Sequence, residues 1–254
     1  MNSKREKGSS IVRVLEILEA IAKADRPMSP TDLAYELDIP KATAHRLVQT
    51  LEAEGYVQTN LRGNLMVADR LNRLSMGALQ NNHFKTERRI LLENLAATTG
   101  ETCGISLPDG TEMIYYDRVQ ANWPLQVYLP IGSRVPMYCT SGGKLYLSQM
   151  PSAQLKRMIP KVELVQRARQ TITDHNQLLE ELELTRKRGI ALDNEEFIDG
   201  MVACSVPIKL NGRMLASLFC HAPVIRQSIE DMEAMAPKLL ETAAEIENLL
   251  VAAQ

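Results

Sequence analysis

The sequence predicts an α+β chain in two unlike parts. Residues 10–67 read as three helices and a short hairpin, and residues 85–254 mix strands with helices in a mostly antiparallel pattern. Residues 68–84 read as a connecting helix between them. An apolar content of 45% across 254 residues is enough for two separate cores.

The first helix is expected from Ser10 to Ala24, with Ile11, Val14, Leu15, Leu18, Ile21 and Ala22 as its apolar stripe. The second starts at Ser29-Pro30-Thr31-Asp32, where serine can cap, proline suits the first turn, and Asp32 completes a capping-box pattern. Its buried side is Leu33, Ala34 and Leu37. Asp38-Ile39-Pro40 ends it, because Pro40 pushes Ile39 out of the α region, and Pro40 then opens the third helix.

That third helix has two faces. Ala44, Leu47, Val48 and Leu51 share one. Ala42, His45, Arg46 and Gln49 share the other, flanked by Lys41 and Thr43. Small residues near its start let a helix enter a groove about 12 Å wide, where Arg46 can meet guanine edges or phosphate and Gln49 can meet adenine. An ordinary solvated face would look similar on this helix alone. The helix before it and the proline-marked turn favour a DNA-reading helix-turn-helix. Tyr56–Thr59, a Gly/Asn turn carrying Arg62, and Leu65–Val67 then form a β-hairpin wing. The expected DNA contacts are Ser29, Thr31, Lys41, Ala42, Thr43, His45, Arg46, Gln49 and Arg62.

Charge is balanced. The net value is −2, with nine Lys/Arg and nine Asp/Glu up to Leu65, so strong nonspecific binding by one copy is not expected. No run of about 18 apolar residues predicts a membrane span. The polar start MNSKREKGSS is unlike a signal peptide, and Cys103, Cys139, Cys204 and Cys220 lack CxxC spacing. A cytoplasmic protein without cofactor is expected.

Past the connecting helix, helices are expected over 85–98, near Ser141, near Ser152, from Asp174 through Arg188, and after Ser228. The last carries Met232, Met235, Leu239, Leu240, Ala243, Ile246 and Leu250 on one side. Strands are expected at 102–107, 113–119, 125–129, 135–138, 190–192, 203–208 and 214–221. Thr140-Ser141-Gly142-Gly143-Lys144 opens a helix whose free N–H groups suit a carboxylate, or whose glycines allow close packing. It is not a Walker A loop. Asp193-Asn194-Glu195-Glu196 follows a strand, where acids either line a pocket or form a solvated loop. No GxSxG, HExxH or dinucleotide fingerprint is present, so no enzyme is expected. A thiol or metal site built from Cys139, Cys204, Cys220 and His221 is left open as an alternative.

SIVRVLEILEAIA, SPTDLAYELDIPKATAHRLVQTLEAEGYV, LPIGSRVPMYCTSGGKLYLSQM and GIALDNEEFIDGMVACSVPI together resemble the IclR family of bacterial transcriptional regulators, over nearly the whole chain. The resemblance implies an N-terminal winged helix-turn-helix domain (1–67), a linker helix (68–84) and a C-terminal GAF-like effector-binding domain (85–254). The implied partners are double-stranded operator DNA, a small organic acid effector, and further copies of the chain in a dimer or a dimer of dimers. The implied effector residues are Ser141, Gly142, Asp193, Met201, Ala203, Phe219 and His221. Relatives that bind small keto acids carry small hydroxylated residues at the last two positions. The bulkier Phe219 and a cationic His221 point instead to an aromatic or larger organic acid. Which of Ala203 and Cys204 faces the pocket depends on strand register.

Overall fold

The computed structural model describes residues 10–24, 27–60, 62–71, 74, 84–124, 126–210 and 212–252, the side chains of residues 23 and 84 excepted. The chain divides into two compact units, residues 1–85 and 86–254. Most of the expected linker helix lies outside the described residues.

In the first unit, α1 (Ser10–Lys23), α2 (Pro30–Glu36) and α3 (Lys41–Ala53) precede an antiparallel pair, β1 (Val57–Thr59) and β2 (Leu65–Val67). The capping box forms: Asp32 N–H donates to Ser29 Oγ at 3.2 Å, and Ser29 N–H donates to Asp32 Oδ2 at 2.9 Å. Asp38 takes a left-handed φ of 51° in the turn, and Pro40 caps α3. Ala44, Leu47, Val48 and Leu51 are the buried face of α3, as its periodicity requires. The phase of α1 differs from expectation. Ile17, Ala20 and Ile21 are buried, while Ile11, Leu15 and Ala22 are exposed. Apolar residues surround α1 almost completely, so spacing alone admits several stripes. The core formed by α2, α3 and the wing selects the one through Ile17 and Ile21.

The second unit contains α4 (Phe84–Thr99), β3 (Thr102–Asp109), β4 (Glu112–Val119), β5 (Arg134–Pro136), α5 (Ser141–Gln149), α6 (Ser152–Met158), α7 (His175–Arg188), β6 (Ala191–Asn194), β7 (Met201–Leu210), β8 (Arg213–Pro223), α8 (Ile229–Ala234) and α9 (Ala236–Ala252). A single 3-10 turn, Ile159–Lys161, follows α6. The strands form one antiparallel sheet in the order β5-β4-β3-β8-β7-β6. Asp174 caps α7 by accepting from Asn176 N and Gln177 N, and Gly189 ends it at φ 73°.

Three expectations are corrected. Residues 126–129 form no strand, and the strand expected at 135–138 is shorter and earlier, because Cys139 and Thr140 lead into α5. Asp193 lies within β6 rather than after it. The final helix breaks at Met235 into α8 and α9. Met232, Ala236, Leu239, Ala243 and Ile246 are buried, and Leu240 is exposed.

Register fixes the two sheet faces. Asp193 pairs with Ala203, Ala203 with His221, and His221 with Thr102. Paired residues point the same way and neighbours alternate, so Ala203, Ser205, Phe219 and His221 share one face with Asp193. Cys103, Cys220 and Cys204 form a row on the other. There Cys103 Sγ lies 3.5 Å from Thr99 Oγ1 of α4. α5 packs on β6, β7 and β8, while α8 and α9 pack along β7.

Candidate functional site

On α3, Lys41, Ala42, His45, Arg46 and Gln49 are exposed and Thr43 is half-buried. Thr31 is exposed at the start of α2, and Arg62 is exposed at the wing tip, where its N–H donates to Asn60 Oδ1 at 2.9 Å. Ser29 is half-buried, and its hydroxyl is committed to the cap through Asp32.

In the second unit, the start of α5 lies close against the sheet. Ser141 Oγ and Ser205 Oγ are 2.8 Å apart, and Ser106 Oγ and Ser217 Oγ are 2.7 Å apart. The glycines make this approach possible. A Cβ on Gly142 would lie 2.5 Å from Ser217 Oγ, and one on Gly143 would lie 2.2 Å from Met137 Cα. Both readings of the Gly-Gly pair are therefore compatible: close packing is what brings the helix start to the sheet.

A cavity of about 10 Å³ remains between them, room for about one water molecule. Ser141, Gly142, Asp193, Met201, Ala203, Phe219 and His221 all line it. Ser106, Met113, Tyr115, Val135 and Thr140 complete the wall. Those five escaped the sequence reading, although alternation along 102–107 and 113–119 would place Ser106, Met113 and Tyr115 on one face once the strand pairing is known. Tyr115, Phe219 and His221 form a stack, with centroids 4.7 Å and then 5.8 Å apart.

Asp193 and His221 are 1% and 3% exposed. The loop after β6 curls back through Glu195, at a left-handed φ of 58°, so that Glu196 N and Phe197 N donate to Asp193 Oδ1 at 2.8 and 3.3 Å. Among the described residues, Asp193 Oδ2 and both ring nitrogens of His221 have no hydrogen-bond partner. Burial pushes the Asp193 carboxyl up to about 7; nearby Glu196 adds to this, and Lys144 opposes it. Burial pushes His221 down to about 3, reinforced by Arg118 and Arg226. The cationic His221 expected from sequence is corrected: desolvation keeps the imidazole neutral.

Lys144, one turn into α5, is 1% exposed and ion-pairs with Glu196, with Glu181 of α7 at 3.4 Å. Nothing in the sequence marks a lysine on an amphipathic helix as buried.

The thiol-metal alternative does not assemble. Cys220 and His221 are successive residues of β8 and face opposite sides of the sheet. Burial pushes the thiols of Cys139 and Cys204 up to about 12, away from the reactive thiolate. No group of three metal-ligating side chains occurs among the described residues. Nor does any helix among them have the length and apolarity to cross a membrane.

Comparison with known proteins agrees with this architecture. The model of the IclR helix-turn-helix domain matches residues 10–61, and that of the bacterial transcriptional regulator IclR C-terminal domain matches residues 76–248. The probable transcriptional regulator SauR of Cupriavidus necator is 33% identical over 240 residues, spanning 94% of this chain and 95% of the relative. The crystal structure of Thermotoga maritima IclR matches at 29% identity with a TM-score of 0.62, covering 95% of this chain and 98% of that one. An IclR homolog from Microbacterium hydrocarbonoxydans, complexed with 4-hydroxybenzoate, shares the fold at 22% identity and a TM-score of 0.60, over 96% of this chain and all of that one. With a helix-turn-helix at one end, a ligand-domain sheet at the other and both family models matched in order, the chain belongs to the IclR family of transcriptional regulators and is not an enzyme.

Proposed function

We propose that the protein is a ligand-responsive regulator of genes for the breakdown of a small organic acid, aromatic rather than aliphatic. Residues 1–67 carry the DNA-reading function, 68–84 the linker, and 85–254 the effector site and the contacts between copies. The outward face of α3, with Lys41, Ala42, Thr43, His45, Arg46 and Gln49, enters the major groove. Ser29 and Thr31 at the start of α2 and Arg62 on the wing meet the backbone. Two copies, singly or as a dimer of dimers, place two such helices on one operator.

The observation that carries the effector reading is the enclosed cavity at the start of α5, with buried Asp193 and His221 offering unpartnered atoms. Native interiors rarely leave such atoms unused. The first N–H groups of α5 favour a carboxylate, and Tyr115 and Phe219 suit a flat apolar body. The homolog complexed with 4-hydroxybenzoate holds an acid of this description. At about 10 Å³ the cavity is closed, so effector entry displaces side chains and couples binding to a change of conformation.

A gel-shift titration tests this, using promoter fragments from its own gene region with and without a panel of organic acids. The expected result is retention of one fragment, altered by an aromatic acid that also raises the thermal midpoint. Failure of every acid to change either quantity overturns the effector reading.

A further inference from the structure

We propose that Asp193 and His221 form a clamp for a hydroxyl group, so that the effector is a hydroxylated aromatic acid whose hydroxyl lies far from its carboxylate. This rests on the cavity being the effector site and adds which chemistry it reads.

Asp193, Ala203 and His221 occupy one register row on three adjacent strands. The outer two are therefore about 10 Å apart at Cα and point to the same side. Ala203 between them has too small a side chain to fill the gap. The Oδ1 atom of Asp193 already accepts from two loop amides, which leaves Oδ2 for a ligand. The neutral imidazole opposite holds one N–H donor and one bare nitrogen acceptor.

A hydroxyl is the smallest group that matches both sides, because it donates and accepts at once. Placed over Ala203, it accepts from the His221 N–H and donates to Asp193 Oδ2. A carboxylate offers only acceptors and would face the Asp193 carboxylate. The one buried lysine nearby, Lys144, is already paired with Glu196 and Glu181. A carboxylate therefore belongs at the start of α5, which is tied to Ser205 by the 2.8 Å contact with Ser141. Ser205 lies two residues along β7 from Ala203 on the same face, roughly 7 Å away at strand rise. That separation places the hydroxyl across a ring from the carboxylate rather than on the adjacent carbon.

Calorimetric titration of the full chain compares benzoate with 3- and 4-hydroxybenzoate, and phenylacetate with mandelate. One hydroxybenzoate should bind about tenfold or more tightly than benzoate, since benzoate leaves buried polar groups unpaired. Mandelate should gain nothing over phenylacetate. His221→Phe keeps the ring stack but removes both nitrogens, and should erase the preference. Ala203→Val fills the gap and should do the same should His221→Phe fail to fold. Equal binding of benzoate and both hydroxybenzoates overturns the clamp while leaving an acid effector intact, as does a preference that survives both variants. Absence of binding by all five acids also overturns the clamp, and the wider acid panel then decides whether the effector reading falls with it.

Discussion

Phe219 lies across Gly104 on the paired strand: a Cβ on Gly104 would stand 2.6 Å from Phe219 Cζ and 2.4 Å from the Asp117 carbonyl oxygen. The bare glycine lets the ring lie down over β3 and close the cavity. Gly104→Ala should destabilise the protein by about 1–3 kcal/mol, the usual cost of overpacking. The ring can swing aside but the carbonyl belongs to the strand, so adding Phe219→Ala should not rescue Gly104→Ala. Urea unfolding of both variants checks this, and full rescue would assign the whole strain to the ring.

Phe219→Ala alone should cost about 3–5 kcal/mol, as a buried aromatic is removed. It also opens the cavity that the ring now fills. The variant should therefore melt lower yet bind larger aromatic acids more tightly, because no ring has to be displaced. Thermal midpoints with and without such acids measure both effects. A variant that binds every acid more weakly would make Phe219 part of the binding wall rather than its obstruction.

Lys144 and Glu196 are paired in the interior, with Lys144 almost wholly out of solvent. Removing only the cation strands a buried carboxylate, so Lys144→Met should cost about 3–5 kcal/mol. Combining it with Glu196→Gln removes both charges and should recover much of that loss. Denaturant midpoints of the single and double variants give the coupling. Strict additivity would mean that the pair contributes nothing as a pair.

The three helices and wing of the first unit were legible because turn chemistry and periodicity agree at Ser29, Pro40 and the α3 faces. In α1 they do not determine the phase: Ile11, Val14, Leu15, Ile17, Leu18 and Ile21 offer overlapping stripes, and only tertiary contacts choose Ile17. The pocket residues drawn from the family resemblance do surround one cavity, yet their chemistry was not readable. A histidine's charge depends on its desolvation, and a lysine's burial on the acid it meets from a segment about fifty residues away. The apolar segment 125–129 suggested a strand, but its described residues have no strand partner.

On α3, Arg46 and Lys41 are both exposed but should fail differently as alanines. Arg46→Ala should cost about 1–3 kcal/mol of operator affinity and relax preference at one base pair. Lys41→Ala should weaken all sequences alike and reduce the salt slope of log K by about one. Gel shifts at several salt concentrations separate the two patterns. Sequence-independent weakening by Arg46→Ala would move that side chain from bases to phosphates.

Asp193 and His221 give the folded state opposite pH responses. The Asp193 carboxyl rises from its ordinary 3.8 to about 7, mainly by burial, so the folded protein holds its proton more tightly than the unfolded chain. Its contribution to stability is present at low pH and is lost as pH rises towards about 7. His221 falls from 6.5 to about 3, also mainly by burial, so its contribution is present above 6.5 and is lost as pH falls towards about 3. Between about pH 4 and 6.5 the two oppose each other. Asp193→Asn removes the alkaline loss and should gain thermal midpoint relative to wild type as pH rises from about 4 to 8. His221→Phe removes the acid loss and should gain relative to wild type as pH falls from about 7 to 4. Midpoints of the three proteins across that range decide the matter: curves that run parallel would mean that neither buried group titrates differently in the folded and unfolded states.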